Sequence, residues 1–534
     1  MNSQVKFDLF IKDATIIDGT GNPVFRSNVG IKEGEIQYIG RQNYASDQMI
    51  DGEGLALSPG FIDTHAHDDG YVFSDNSLYV KLSQGITTAI SGNCGISLGP
   101  INEKYIGEFN RVTGGMLNVP FLAEMTTFGR FMDKVDSLAP GINLGFFAGH
   151  NIIRMAVMGL EMREPSREEM EKMKDYLREA LDNGAIGLST GMAYPPTCFA
   201  KNDEIYELAG VVKEKGGLYA SHIRSEGDNL VDAVGEAIEV GRRTGVPVII
   251  SHHKTLGKNN WGKVSNTLRM IEKANKEGIE VGLDVYPYNA NGTGLMYILP
   301  PSCHGGDNNK LLEQLRDADY REDLKKSILN KKENYDNMVL YCGLDHILIT
   351  VSDATPDAVG KTISDYAKSI GKDPLDTALD ILLKNKLNVL AVFFSIAEED
   401  LEEVLKSPYS MIGTDGMPIP HNRSITHPRL KGTFPRVLGR YVREKKVLRL
   451  EDAIRKMTSL PAQKLRLKNK GLIKEGFDAD LVLFDAATII DKADYVNCYA
   501  ENEGIQYVIV NGKIAFHNNQ YTGINSGRII RRQG

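Results

Sequence analysis

The middle of the chain repeats one pattern eight times: a short apolar run that ends in polar residues. The runs are "GFIDTHAH", "TTAISGNC", "NLGFFAGH", "AIGLSTG", "GLYASHIR", "VPVIISHHK", "IEVGLDVYPY" and "YSMIGTDG". Amphipathic segments with helical spacing separate most of them, and "SREEMEKMKDYLREALDNG" is the clearest. Near-continuous apolar strands that alternate with helices favour a parallel sheet covered by helices. Eight such units at this length predict an α/β fold built on a closed (β/α)8 barrel.

An open, doubly wound parallel sheet is the structural alternative to this barrel. Such a sheet usually carries a glycine-rich phosphate-binding turn after its first strand. Here the first run leads into "THAHDDG", which is not a turn of that kind. The sequence therefore favours the barrel.

The two ends of the chain share a different texture. Short alternating runs with Gly, Asn and Asp turns occur near the N-terminus, as in "FDLFIKDATIIDG", and near the C-terminus, as in "IQYVIVNGKIAF". Two β segments that flank a long middle often pair with each other. We therefore predict a small β-sandwich domain formed by residues 1–59 and 470–534, and a (β/α)8 barrel over residues 60–469.

One stretch interrupts the rhythm after the seventh run. It is rich in Gly, Asn, Asp and Lys, and we predict an inserted subdomain over about residues 289–346. Loops at this face of a barrel carry function, so the insertion is either a lid or pocket wall, or a structural addition. Two further strand candidates, "HILITVSD" and "LNVLAVFFS", leave the strand count open in this region.

Charge and cysteine content narrow the class of protein. The net charge of −8 over 534 residues argues against nucleic acid and anionic membranes as main partners, since both select basic surfaces. The sequence contains no run of about 18 apolar residues, so no membrane span is predicted. The five cysteines lie far apart without paired spacing, which does not indicate a disulfide framework and favours a cytoplasmic location. The oligomeric state is left open.

Metal-binding residue types stand at the ends of several runs. Side chains at the carboxyl ends of barrel strands converge on one mouth, so residues far apart in sequence would meet there. Imidazole nitrogens in such a position are suited to bind a metal. A single His-x-His pair is a weak indication, but random placement would rarely bring the whole set to strand ends. The set is His65, His67, Cys94, His222, His252 and Asp415. His253 points the other way on a regular strand and is predicted to pack or to support a ligand.

These motifs resemble the amidohydrolase superfamily of metal-dependent hydrolases, most closely its N-acyl-D-amino-acid deacylase (D-aminoacylase) branch. The resemblance covers essentially the whole chain. Its motifs are "PGFIDTHAHDD", "SGNCGIS", "GLSTGMAYPP", "SHIRSEG", "ISHHK", "DVYPY", "HPRLKGTFPRVLGRYVRE" and "KMTSLPAQKLRL". Many superfamily members carry a carboxylated lysine on the fourth strand, whereas the deacylase branch uses a cysteine from the second. Here the fourth run offers "GLSTG" without a lysine, and Cys94 matches the cysteine.

The resemblance implies a metal centre with two positions. Cys94, His222 and His252 would hold a tightly bound zinc, and His65, His67 and Asp415 would surround a second, weaker position. A thiolate with two imidazoles suits Zn²⁺ better than Mg²⁺ or Ca²⁺, and three protein ligands leave a position for water.

Asp415 is the candidate general base, and later the acid that protonates the departing nitrogen. The substrate carboxylate calls for cations, and Lys254 and Arg429 are the best-placed ones. Tyr286 in "DVYPY" adds a hydroxyl. The family usually shows Gly-Ser-Thr after this segment, whereas this chain has Asn291–Thr293.

The sequence thus predicts zinc-dependent hydrolysis of N-acyl-D-amino acids to a carboxylate and the free D-amino acid. Alternatives on the same barrel are a cyclic-amide hydrolase of the hydantoinase or dihydroorotase type and a dipeptidase for D-amino-acid peptides. A non-catalytic barrel is an alternative of another class, which intact metal-binding positions disfavour. The D-preference is implied by the resemblance alone, and the acyl group and side chain stay open.

Overall fold

The computed structural model describes residues 6–113, 119–304, 308–418 and 425–532. Within these ranges, each of the eight apolar runs contains a short strand that pairs in parallel with its neighbours. In chain order the strands are Phe61–Asp63, Ile86–Ser91, Asn143–Phe146 continued by Ala148–Gly149, Gly187–Gly191, Leu218–His222, Val248–Ile250, Val281–Val285 and Ser410–Ile412. They are called the first to the eighth strand below.

Hydrogen bonds also connect the last of these strands to the first. The amide of Thr64 lies 3.4 Å from the carbonyl oxygen of Ile412, and Ala66 forms a parallel bridge with Gly416. All eight strands are almost fully buried, as expected for parallel strands that are covered by helices on one side and by side chains on the other. The predicted α/β class with parallel strands in sequence order is therefore present.

Helices follow the strands as the spacing of apolar residues predicts. The longest, Arg167–Asp182, begins with a capping box in which Ser166 and Glu169 satisfy each other's backbone amides. It ends just before Gly184, whose φ of +95° only glycine adopts easily. The helices around the parallel strands are Tyr79–Leu82, Ile106–Val112, Phe128–Asp136, His150–Met158, Arg167–Asp182, Asn202–Glu214, Leu230–Thr244, Val264–Lys276, Glu398–Lys406, Arg429–Arg436, Val437–Glu444, Leu450–Met457 and Ser459–Lys464.

Both chain ends contribute to one sheet. Among the described residues it has nine strands, and Ala56–Pro59 from the N-terminal part pairs antiparallel with Leu481–Phe484 from the C-terminal part. The other strands are Phe7–Ile16, Phe25–Lys32, Glu35–Gly40, Ser46–Asp51, Ile505–Val510, Lys513–His517 and Gln520–Tyr521. The hydrogen bonds describe one continuous sheet, with an apolar core of its own that includes Leu9, Leu481 and Ile509.

The insertion after the seventh strand has its own sheet. Asn291–Gly294 pairs antiparallel with Leu390–Phe393, which pairs antiparallel with Ile347–Val351. The sheet therefore extends beyond residue 346, where the sequence prediction placed the end of the insertion, because "HILITVSD" and "LNVLAVFFS" pair with the insertion and not with the parallel strands. Its helices are Asn308–Gln314, Ala318–Leu329, Met338–Cys342, Ile363–Ile370 and Pro374–Lys384. A separate apolar core fills it.

In the part of the chain that the structure describes, every helix is too short or too polar to cross a bilayer. The cytoplasmic location inferred from the cysteines stays a prediction.

Candidate metal centre

The predicted donors meet where the parallel strands end. His222 is the last residue of the fifth strand, and Cys94, His252 and Asp415 lie two or three residues beyond the second, sixth and eighth. All six side chains are buried or nearly so. Cys94 lies at the centre, because its sulfur approaches three imidazoles.

Two groups of donors share this cysteine. In the first group, Cys94 Sγ lies 3.8 Å from His222 Nδ1 and 3.4 Å from His252 Nε2. The second group combines Cys94 with His65, His67 and Asp415. In each group the donor atoms all lie within 4.8 Å of one another.

The second group is equally compact. Cys94 Sγ lies 3.3 Å from His65 Nε2, and Asp415 Oδ1 lies 3.6 Å from the same nitrogen. His67 Nε2 lies 3.1 Å from Asp415 Oδ1. Because the Cys94 thiolate lies between the two groups, it can serve both metal positions.

The donor set fits zinc in chemistry and in spacing. Sulfur and nitrogen ligands at the usual zinc distances and a tetrahedral angle stand about 3.6 Å apart. The observed separations between Cys94 Sγ and the ring nitrogens are 3.3, 3.4 and 3.8 Å. A soft thiolate with imidazoles is the set that zinc prefers over the hard cations.

Three of the donors have strained backbones. The φ angles of Cys94, His252 and Asp415 are +54°, +34° and +46°, in the left-handed region that residues other than glycine rarely adopt. Such a conformation costs on the order of 1 kcal/mol or more at each position and persists only where the surroundings enforce it. Its occurrence at three donors of one cluster is typical of a functional site.

The turn that carries Cys94 is enforced by close packing. A Cβ atom on Gly92 would lie 2.1 Å from the carbonyl oxygen of Phe147, and one on Gly95 would lie 2.0 Å from Asn151 Oδ1. Ser189 of the fourth strand accepts a hydrogen bond from the Gly95 amide at 3.0 Å and donates one to the Gly92 carbonyl. The Ser189 hydroxyl, in the middle of the fourth strand, thus holds the residues on both sides of Cys94.

Two carboxylates that sequence reasoning missed stand behind the histidines. Asp284 Oδ1 lies 3.2 Å from His65 Nδ1 and accepts a hydrogen bond from the His252 amide at 2.7 Å. Glu226 Oε1 lies 2.9 Å from His252 Nδ1. A carboxylate on one ring nitrogen fixes the tautomer that leaves the other nitrogen free for a metal. The motifs "DVYPY" and "SHIRSEG" contain both residues, but only the fold shows which histidine each one meets.

The predicted substrate-binding cations lie beside the donors. Arg429 Nη1 lies 2.7 Å from Asp415 Oδ2, and its guanidinium lies 4.6 Å from the centre of the Tyr286 ring. Lys254 Nζ lies 5.4 Å from the same ring and 2.5 Å from Glu226 Oε1. Both cations are thus already engaged with carboxylates of the site.

His253 points away from the cluster. It is buried, and its Nε2 lies 2.8 Å from Thr267 Oγ1 of the helix Val264–Lys276. Burial, with Lys254 nearby, lowers its pKa to about 4 and keeps it neutral. Its position agrees with the packing role that the alternation of the strand predicts.

The insertion also reaches the cluster. The ring centre of Tyr297, from the insertion, lies 4.9 Å from that of Tyr194, which lies 4.5 Å from that of His222. These rings cover one side of the centre.

Electrostatics favour a thiolate and a carboxylate at the centre. Burial by itself raises the pKa of the Cys94 thiol, but the neighbouring imidazoles, chiefly His65 and His252, lower it well below its ordinary value. Burial likewise raises the pKa of Asp415, whereas Arg429 lowers it well below the usual range. For His67, burial lowers the pKa, but Asp415 and Cys94 raise it to about 9. A bound cation would replace the protons that these imidazoles otherwise hold.

A cysteine, histidines and a carboxylate at the carboxyl ends of parallel strands define a metal-dependent hydrolase of the α/β class. The family model of the amidohydrolase family matches residues 48–287 and 330–516. The chain belongs to the amidohydrolase family, as the sequence motifs indicate.

Curated relatives match over nearly the whole chain. A D-aminoacylase of Alcaligenes xylosoxydans xylosoxydans is 35% identical, with 98% of both chains covered. An N-acyl-D-glutamate deacylase of the same organism is 36% identical, with 99% of this chain and 97% of the relative covered.

Solved structures of deacylases also match over nearly the whole chain. An N-acyl-D-glutamate deacylase from Bordetella bronchiseptica, complexed with zinc and a phosphonate inhibitor that mimics the tetrahedral intermediate, superposes with a TM-score of 0.84 at 33% identity, covering 99% of this chain and 100% of the other. A D-aminoacylase structure superposes with a TM-score of 0.83 at 34% identity over 98% of this chain and 100% of the other. A D-hydantoinase, 14% identical over 99% of both chains with a TM-score of 0.55, shares the fold alone.

Proposed function

We propose that this protein is a zinc-dependent hydrolase that cleaves the amide bond of N-acyl-D-amino acids and releases a carboxylate and the free D-amino acid. The observation that carries the proposal is the Cys94 sulfur shared by two donor groups, one of which ends in Asp415. Full-length relatives at 34–36% identity act, by their names, on N-acyl-D-amino acids. The fourth strand, Gly187–Gly191, contains no lysine, which disfavours the cyclic-amide alternative.

The residues divide into a tight and a weak metal position. Cys94, His222 and His252 would hold zinc, since they combine a thiolate with two imidazoles at matching distances. His65, His67 and Asp415 would form the weaker position around the same sulfur. Zinc, when bound, supplies a Lewis acid that lowers the pKa of water to about 7 and polarises an amide carbonyl.

Asp415 would move the proton. Arg429 Nη1 lies 2.7 Å from Oδ2 and keeps the carboxylate ionised, and Oδ1, which faces His65 and His67, would accept the proton of the attacking water. An amine is a poor leaving group unless it is protonated, and the same carboxyl would return the proton to the departing nitrogen. The left-handed backbone of Asp415 fixes the direction of this carboxyl.

Lys254, Arg429 and Tyr286 would recognise the substrate carboxylate. The two cations lie on the same tyrosine ring, at 5.4 and 4.6 Å from its centre, so they converge on one region of the mouth. Arginine contributes a planar pair of donors and lysine a point charge. Both cations are held in place by carboxylates of the site, which reduces the conformational entropy lost when a substrate binds.

The architecture around the site is also part of the proposal. We propose that the eight parallel strands form a closed barrel over residues 60–469, because pairs run in chain order and Thr64 and Ala66 contact the eighth strand. Residues 1–59 and 470–534 would form the small β-sandwich domain by folding their single nine-stranded sheet over its own apolar core. The pairing of Leu390–Phe393 with Asn291–Gly294 supports an insertion that extends from about residue 289 to the helix at Glu398.

A hydrolysis screen tests the function. The purified protein, with zinc supplied, is assayed on matched N-acetyl and N-formyl D- and L-amino acids, on hydantoin and dihydroorotate, and on dipeptides with a C-terminal D-residue. We expect release of free D-amino acid from the linear N-acyl substrates. Activity restricted to L-substrates, to cyclic amides or to dipeptides would contradict the proposal and leave the metal centre intact.

A further inference from the structure

Glu226 connects a metal donor to a substrate-binding cation. It lies on the loop after the fifth strand and is buried. Its Oε1 lies 2.9 Å from His252 Nδ1 and 2.5 Å from Lys254 Nζ. Whatever fixes this carboxylate therefore fixes both His252 and Lys254.

The protons in this contact have one arrangement that suits a metal. His252 Nε2 faces the Cys94 sulfur at 3.4 Å, so it needs its lone pair and Nδ1 must carry the hydrogen. That hydrogen is donated to Glu226. The ammonium of Lys254 donates to Glu226 and, at 2.7 Å, to the carbonyl oxygen of His252, and its Nζ also lies 2.9 Å from His252 Nδ1. These contacts hold Lys254 directly beside His252.

The insertion holds the loop that carries Glu226. Asp336 accepts a hydrogen bond from the Ser225 hydroxyl on Oδ1 and one from the Glu226 amide on Oδ2, each at 2.7 Å. Both oxygens of Asp336 are thus used on two consecutive residues of the loop. The hydroxyl of Tyr341, three residues past the start of the helix Met338–Cys342, donates to Asp336 Oδ1 at 3.2 Å.

Two glycines leave room for the contact between the insertion and the loops after the fifth and sixth strands. A Cβ on Gly227 would lie 2.3 Å from the Tyr341 hydroxyl oxygen, and a Cβ on Gly257 would lie 2.7 Å from the Tyr341 ring. Gly227 lies next to Glu226, and Gly257 lies three residues past Lys254. The loops after the fifth and sixth strands therefore both leave room for the same tyrosine of the insertion.

We infer that Asp336 is a positioning residue supplied by the insertion, which orients Glu226 and through it both His252 and Lys254. The inference rests on the proposed function for the role of Lys254, but the effect on His252 concerns the metal alone. The insertion would then position residues of the metal centre, which is a role beyond that of a lid or of a structural addition.

The test compares Asp336→Asn with Asp380→Asn in the full-length protein. Asparagine keeps the size of Asp336 but points an amide N–H₂ at a donor of the loop. Asp380 lies in the same insertion and forms ion pairs with Arg321 and Lys372, at 2.8 Å each. We expect Asp336→Asn to weaken zinc binding about tenfold, measured by competition with a chelator. We also expect the factor by which KM rises to be about ten times the factor by which kcat falls. Asp380→Asn leaves both values unchanged within twofold.

A double-mutant cycle with Glu226→Gln separates positioning from general stability. If Asp336 acts through Glu226, the double variant binds zinc no more weakly than Glu226→Gln alone, within twofold. Effects that multiply, or an Asp336→Asn variant that matches Asp380→Asn, would overturn the inference. Should Asp336→Asn fail to fold, Tyr341→Phe takes its place in the same cycle, with an expected effect of about threefold in the same direction.

The two readouts separate this inference from the proposed function. Chelator competition needs no substrate. If the wild-type protein hydrolyses no N-acyl-D-amino acid, the proposed function fails, while the zinc affinities of the variants still decide the role of Asp336.

Discussion

His65 and His252 approach the same sulfur, yet their supports differ. Each has a carboxylate at Nδ1: Asp284 at 3.2 Å from His65, and Glu226 at 2.9 Å from His252. Asp284 belongs to the seventh strand and is held by the hydrogen bonds of the sheet. Glu226 lies on a loop that the insertion holds through Asp336. One half of the centre thus depends on the parallel strands alone, and the other half depends on an added subdomain as well.

The largest effect is expected where the two halves meet. Cys94→Ala removes the donor that both groups share, so the protein should purify without stoichiometric zinc and its kcat/KM should fall to background. Metal analysis and the deacylation assay measure this. Cys342→Ala, at a partly buried cysteine whose thiol donates to the carbonyl oxygen of Met338, is the control and should retain both properties. A zinc-replete, active Cys94→Ala variant would separate the halves and refute the shared-sulfur arrangement.

The next effect concerns turnover and not metal. Asp415→Asn keeps the size of the side chain but removes the base, so kcat should fall by about 10²- to 10⁴-fold, the usual contribution of general acid–base catalysis. Zinc bound at the tight position, which does not include Asp415, should stay stoichiometric by metal analysis. A kcat near the wild-type value would show that another group moves the proton.

The next two variants test the comparison between His65 and His252 itself. Asp284→Asn and Glu226→Gln should each weaken metal binding or activity by about 10- to 100-fold, the usual cost of losing the hydrogen-bond partner of a metal ligand. The two should differ when each is combined with Asp336→Asn. Asp284→Asn also perturbs the acceptor of the His252 amide, but it leaves the contact between Asp336 and the Glu226 loop in place. Its effect and that of Asp336→Asn should therefore multiply, whereas Glu226→Gln should mask Asp336→Asn. Masking in both combinations would mean that the two halves share one support.

The smallest effect is expected at Ser189. Ser189→Ala removes two hydrogen bonds that hold the turn around Cys94, which we expect to lower the free energy of unfolding by about 1–3 kcal/mol and to weaken zinc binding a few-fold. Ser410→Ala, a buried strand serine that hydrogen-bonds away from the centre, is the matched control for the loss of stability. If both variants bind zinc equally well, the strained conformation of Cys94 does not depend on Ser189.

Chelator treatment sharpens the distinction between the halves without mutation. A position with a thiolate and two imidazoles should release zinc last, and the position that includes Asp415 should empty first. Metal content and activity followed together against chelator concentration should therefore show two separate losses if both positions fill. Simultaneous loss of all metal would argue for one position only.

Much of this organisation is readable from the sequence, because local periodicity determines it. Apolar runs that end in polar residues mark the eight strands, and parallel strands place their carboxyl ends on one side. That rule alone brings together donors as distant in sequence as His65 and Asp415. It does not reach Glu226 or Asp284, since a carboxylate becomes a support only through the nitrogen that it faces.

Local sequence patterns also do not predict where the insertion ends. "HILITVSD" and "LNVLAVFFS" have the texture of strands, but whether they join the parallel strands or pair with Asn291–Gly294 depends on long-range hydrogen bonds. Local sequence patterns predict the strands, the helices between them and the types of residue at the mouth. The left-handed turns at Cys94, His252 and Asp415, and the pairing of each carboxylate with its histidine, are visible only in the folded chain. These features depend on packing and charge contributed by distant segments, and no short stretch of sequence contains both partners.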